Sequence, residues 1–384
     1  MKQIGWLFVG TALWVAGLPL IGAVTPNEFS GSDSERIERA IAKACETGER
    51  SIEIPRMNTA RKDAVWLIDR AILLPDDFTL RLTDCLVRLA PGVQDNIIRN
   101  AGATLEQITT NRNITVTGSG HAVLSGGLKA HFNPPGDKSG WRTIGILFCA
   151  VEGFTIENVT LHETQAWGIS VENGCCDGRI SNITFRDTNR MPNQDGVDVR
   201  KGCHDILIEN IFGRVGDDAV ALTGLRNDKA DRNPGIRRMQ IGGNWPTAND
   251  DIYNVTIRNV QTKCVGGHGI VRLLNQDGVR MYNIIVRDVM DTATGKDPRA
   301  QATIRIGDVN YSSIRRSQMG EMRNVLVDGV IAKGRVGVWI KGPLQDSVIR
   351  NVFPPDSKTK KYDVTAPLER VELEGAAPAQ PPKQ

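Results

Sequence analysis

One six-residue pattern, apolar-x-apolar-x-Asn-apolar, recurs along most of this chain and limits what it can fold into. It reads Phe154-Thr155-Ile156-Glu157-Asn158-Val159, then Gly178-Arg179-Ile180-Ser181-Asn182-Ile183, then Ile206-Leu207-Ile208-Glu209-Asn210-Ile211, then Val255-Thr256-Ile257-Arg258-Asn259-Val260. Weaker copies follow at 284–289, 325–330 and 348–352. Counted at the third position, the copies from Ile156 to Ile180 and Ile208 stand 24 and 28 residues apart, and Val286 stands 29 after Ile257. Wider gaps, 49 from Ile208 to Ile257 and 41 from Val286 to Val327, call for loop insertions or an extra coil. Alternation at period two marks each copy as a strand with one inward face. A second strand is expected after each copy, at Gly168-Ile169-Ser170-Val171, Gly196-Val197-Asp198-Val199, Ala219-Val220-Ala221-Leu222, Thr303-Ile304-Arg305-Ile306 and Gly337-Val338-Trp339-Ile340. A unit of this size cannot bury its own apolar face, so successive units must stack. The expected fold is all-β, a single-stranded right-handed parallel β-helix. Thirty-nine glycines and 5% aromatics suit that better than a helical bundle. The recurrent Asn fits a bend where it takes left-handed backbone and bonds its stacked copies.

A solenoid needs its open first edge covered. Ser32 and Glu35 form a capping box ahead of an apolar stripe of Ile37, Ala40, Ile41, Ala44 and Cys45, so a helix over 32–46 is expected as the N-terminal cap, with early coils through 51–126. The expected organisation is a signal peptide or anchor over 1–23, a parallel β-helix catalytic domain over 24–373 and a disordered tail over 374–384. Lys2, the apolar run from Ile4 to Val24 and the small Ala23 read as an export signal, giving a secreted or periplasmic protein. An uncleaved single-span anchor is the alternative, since the run is long and Ile21 suits cleavage poorly. No later segment is apolar enough to span a membrane. With 47 Lys plus Arg against 44 Asp plus Glu, no nucleic-acid partner is expected. Seven cysteines leave at least one thiol free, and Cys175 and Cys203, at matching repeat positions, read as stacked buried thiols. No Cys or His has zinc-finger spacing, so no metal and no cofactor is expected. A monomer is expected.

Equal positions in successive coils form columns about 4.8 Å apart. Aligned on Val197 and Val220, Asn193-Gln194-Asp195-Gly196 and Gly216-Asp217-Asp218-Ala219 put Asp195 and Asp218 in one column, with Asp217 one residue displaced. Gly266-Gly267-His268-Gly269 precedes Ile270 further on. Asp and Gly gather at turns for conformational reasons alone, but three crowded carboxylates repel and raise at least one pKa, so that acid and base coexist near neutral pH. Glycoside hydrolysis uses such a set; calcium binding is the rival.

These motifs, with Arg305, resemble in order the four motifs of the polygalacturonases, glycoside hydrolase family 28, over about Asn113 to Lys341. The family's Asn-Thr-Asp stands here as Asn-Gln-Asp. The resemblance implies inverting hydrolysis of a pectin-like, α-linked uronan, with Asp217 as general acid and Asp195 and Asp218 positioning water. It also places Asn193 at the substrate and Arg305 on the sugar carboxylate. His268, between glycines at the same column, is expected to touch Asp217 or the substrate. Trp167, one coil before Asp195, and Trp339, one beyond Arg305, offer rings for sugar stacking, with ordinary packing as the alternative.

The match departs at Arg305-Ile306-Gly307, where the family has Arg-Ile-Lys. Lys341, at the corresponding place of the next strand, is the candidate replacement. If nothing replaces the lysine, a neutral or differently linked sugar is favoured and Gly307→Lys should help uronate cleavage; the insertion over 224–250 leans the same way. Arg272 would turn inward if His268 aligned with Asp218, so a bulge or a one-residue register shift is expected there. A β-helix polysaccharide lyase and a non-catalytic polysaccharide-binding solenoid are the alternative functions.

Overall fold

The computed structural model describes residues 23–127, 143–187, 193–226, 247–311 and 315–375. The leader and most of the tail and of the 224–250 insertion lie outside these. The described strands stack in parallel into a fifteen-stranded and a ten-stranded sheet that share each coil, a right-handed parallel β-helix. The two long gaps are insertions, because Ile208 pairs directly with Ile257 and Val286 with Val327.

Inward alternation produces the core. Ile156, Ile180, Ile208, Ile257, Val286, Val327 and Ile349 form one column across seven coils, each fully buried. Each such side chain contributes about 1.5–3 kcal/mol by leaving water. Asn158, Asn182, Asn210 and Asn259 sit at φ 59°, 56°, 57° and 53°, left-handed bends that a short amide tolerates. Their side chains form a ladder, each Nδ2 donating to the Oδ1 of the coil before it, at 3.0, 2.8 and 2.7 Å. A second ladder, Asp205, Asn254, Asn283 and Asn324, was not read from the pattern because it precedes the apolar run.

The cap is a helix, Asp33–Thr47, with the Ser32 and Glu35 capping box formed. Its fully buried Arg36 bonds Asp33, Asn58 and Asn27 at 3.1, 2.7 and 2.7 Å and lies over the Trp66 ring. All seven cysteines are free, and Cys175 and Cys203 are buried in contact. Among the described residues no helix is long and apolar enough to cross a membrane.

Candidate active site

The ten-stranded sheet supplies the site. Pairing of Ile169 with Val197 and of Val197 with Val220 stacks Trp167, Asp195 and Asp218 at the mouths of successive strands. Backbone bonds hold that stack: Gly168 N–H to Asp195 O at 2.9 Å and Gly196 N–H to Asp218 O at 3.0 Å. The next coil pairs Val271, not Ile270, with Val220, so His268 comes level with Asp217 and Gly269 with Asp218. This is the one-residue shift foreseen as one of two options, and it turns Arg272 outward. Gly269 makes the approach possible, since a Cβ there would lie 2.7 Å from Asp218 Oδ1 and 2.9 Å from Arg305 Cδ.

One oxygen from each of Asp195, Asp217 and Asp218 lies within 4.8 Å of the others, and all three residues are buried. Burial, then the charges of Asp217, Asp198 and Asp218, push Asp195 well above the usual carboxylate range. Asp217 is raised by burial and then by Asp218, against the pull of His268 and of the Asn193 N–H. His268 Nδ1 stands 3.3 Å from Asp217 Oδ1, and the Asn193 N–H donates to Oδ2 at 2.9 Å. A carboxyl so placed keeps its proton to higher pH than a free one. The oxygen trio could take a cation. However, calcium takes about 6–8 oxygens, whereas here Arg272 and Arg305 already bring positive charge to 3.7 and 3.6 Å from Asp218. The donor set fits a cation poorly.

An outward column runs Ser170, Asp198, Ala221, Arg272, Arg305, Trp339 across six coils and floors the site. Asp198 and Arg272 are therefore site residues that the motif reading passed over. Alternation in Val197-Asp198-Val199 was the available signal for Asp198. Asp198 too is raised, by burial first, with Arg200 opposing and Asp218 adding. Asp308 approaches both guanidiniums, at 3.3 Å from Arg272 and 3.8 Å from Arg305. Arg305 keeps Nε and Nη1 without a hydrogen bond in the protein.

The two tryptophans part company. Trp167, expected to offer a ring face, is 4% exposed, packed with Ile144, Leu147 and Cys149 and covered by the Arg200 guanidinium at 4.3 Å. That ring is packing in this structure. Trp339 is half-buried in the floor, with Arg305 at 5.1 Å and Lys341 Nζ at 3.7 Å from its ring centre. Lys341 does fall level with Gly307, its N–H bonding Ile306 O at 2.9 Å, and its ammonium reaches Asp363 at 3.7 Å. The missing family lysine has a backbone reason: Gly307 has φ 69°, and a Cβ there would meet Gly342 N and Cα at 2.4 Å. This geometry argues against a benefit from Gly307→Lys.

A parallel β-helix with an aspartate trio beside a cation-floored groove has the build of a polysaccharide-cleaving solenoid. The chain belongs to glycosyl hydrolases family 28, whose model matches residues 104–333, more than half of its length. It is 26% identical over 180 residues to a putative galacturan 1,4-alpha-galacturonidase A of Aspergillus niger, a match covering 36% of this chain and only 41% of that protein. A hyperthermoactive exopolygalacturonase of Thermotoga maritima superposes with TM-score 0.53 at 16% identity, covering 90% of this chain and 91% of that one. The polygalacturonase of Erwinia carotovora gives 0.52 at 15% identity, with 90% and 91% covered. A tailspike protein of E. coli bacteriophage HK620 gives 0.56 at 11% identity, covering 91% of this chain and 65% of that one. Such identities speak for the fold alone.

Proposed function

We propose that this chain hydrolyses an α-linked, pectin-like uronan by direct displacement. Asp217 donates its proton to the glycosidic oxygen, and Asp195 with Asp218 holds the attacking water. His268 tunes Asp217, and Asn193 orients it through the backbone N–H. Arg305 takes the sugar carboxylate, assisted by Arg272, with Lys341 and Trp339 one coil on in place of the family lysine. The observation that carries this is the trio itself: an acid raised by burial and a neighbouring charge, within 4.8 Å of two further carboxylates.

By spacing alone the trio is nearer the about 5–5.5 Å of double-displacement enzymes than the roughly 6.5–9.5 Å of inverting ones. Direct displacement is still the reading favoured, because Asp195 and Asp218 are both buried, and Asp218, between two guanidiniums, is placed to hold a water and not to bond a sugar. It can act only through something as small as water. The experiment is incubation with a panel of uronans, reading new reducing ends and unsaturated, ultraviolet-absorbing ends separately, with and without a chelator. Reducing ends alone, unaffected by chelation, support hydrolysis. Unsaturated ends that vanish with the chelator and return with calcium replace it by a lyase. Export is part of the same proposal and rests on the apolar leader; N-terminal sequencing of protein from the culture medium or periplasm tests it.

A further inference from the structure

A groove of about 980 Å³ lies on another face, along the ends of the long-sheet strands. Register puts Arg88 level with Ser125, Ser125 with His162, and Arg186 with Arg214 and Lys263; the pairing of Leu161 with Phe185 carries His162 to Arg186. One column thus crosses six coils, roughly 24 Å at strand spacing, and five of its six side chains are basic residues. Arg56 and His121 join the lining, and Asp84 is its one acid among the described residues.

A solvated sheet face needs polar side chains, and that alone explains single arginines. It does not explain like charges side by side, which destabilise adjacent strands. Elsewhere on this sheet, neighbouring coils set opposite charges level, as in Glu152 with Arg112, Glu209 with Arg258 and Asp328 with Arg350; Arg258 and Arg287 also stand level, but each has an acid on its other side, Glu209 and Asp328. The groove breaks that habit. Lys263 pairs with Asp297 at 3.0 Å and Arg214 donates to Asp187 O at 2.6 Å, but Arg56, Arg88 and Arg186 have no carboxylate partner among the described residues. Burial lowers His162, and Arg88 and Arg186 press the same way against Glu163. Repulsion kept in place across several coils is what an anionic ligand would relieve.

We propose that this face is a second, non-catalytic binding surface for an acidic polysaccharide, laid along the solenoid axis with its carboxylates against successive coils. The choice of a uronan rests on the function proposed above. Arg88 at one end and Arg186, Arg214 and Lys263 at the other, with Ser125 and His162 between, offer cations along the path of a linear acidic polymer, and the chain's nearly balanced charge does not suit a nucleic acid. Along the chain the groove's edge and the catalytic site are close, Arg214 standing three residues before Asp217.

The test is affinity electrophoresis in polygalacturonate gels at low salt, using full-length Asp217→Asn protein, which binds without cutting. Arg88→Gln with Arg186→Gln in that background should weaken polymer binding about tenfold, while Arg186→Lys should keep it. In otherwise wild-type protein the same pair should leave turnover of a short oligosaccharide unchanged. Equal retention of the folded double variant, checked by circular dichroism, overturns the proposal. So does preferential retention of duplex DNA or anionic vesicles through these arginines. If wild type leaves polygalacturonate uncut while the Asp217→Asn protein holds it through Arg88 and Arg186, the surface stands and the hydrolytic reading falls.

Discussion

Asp217→Asn separates the chemistry of this site from its architecture. The amide keeps the carboxylate's shape, and its oxygen can still accept the Asn193 N–H now 2.9 Å away, but it has no acid proton to give. Positioned general acids contribute roughly 10²–10⁴-fold, about 2.7–5.5 kcal/mol at 1.36 kcal/mol per decade. The upper end is expected, because Asp217 is 7% exposed and bulk water cannot readily stand in for it. Stability should move the other way. A carboxyl raised in the folded state contributes its full stability below the unfolded value near ~3.9 and loses it as pH climbs through the folded value, since the folded state then binds more protons than the unfolded one. Asn is neutral throughout and escapes that loss. Turnover on polygalacturonate should therefore fall by roughly 10²–10⁴ with little change in KM, while the melting temperature at pH 7 rises above wild type and the two converge towards pH 4. The account is refuted by a variant that keeps more than about a tenth of wild-type turnover, or by one that is inactive only because it melts early.

Asn210→Ala should lower stability by about 3–4 kcal/mol, from two ladder hydrogen bonds at about 1 kcal/mol each and about 1–2 kcal/mol for left-handed alanine. Asn210→Gly, which keeps the bend, should cost less, as denaturant unfolding would read. Gly307→Lys should melt earlier than wild type and gain no uronate cleavage, because φ 69° and Gly342 leave a side chain no room; a stable, faster variant would contradict this. Lys341→Ala should raise KM for polygalacturonate several-fold at nearly constant kcat. The half-buried pair with Asp363, 3.7 Å apart, is worth about 1 kcal/mol, so its melting temperature should hardly move, and an unchanged KM would remove Lys341 from the substrate site.

Much of this was legible because a stacked fold turns one-dimensional spacing into columns. The Asp195 and Asp218 column could be read from Val197 and Val220, each larger than the small or polar residues on either side of it and so the one to point inward. Alternation failed where two apolar residues adjoin: Ile270 and Val271 both qualify, and only coil-to-coil pairing chooses Val271 and turns Arg272 into the groove. Trp167 misled for a related reason. The strand Ile146–Cys149 is apolar on both faces, which signals that its outer face is covered, and Trp167 packs into that cover with Leu147 and Cys149. Nor can a local motif show that Gly342 of the next coil presses on Gly307, where the family has its lysine.

The decisive measurement is the proton NMR spectrum of the first product released from an α-linked uronan, recorded before the anomers equilibrate. Direct attack by water held between Asp195 and Asp218 predicts a hydrolysed product with its anomeric centre inverted, appearing first as the β-anomer. An α-anomer appearing first would instead make one of the trio a covalent nucleophile, as the short spacing alone would suggest, and an unsaturated product would contradict hydrolysis altogether.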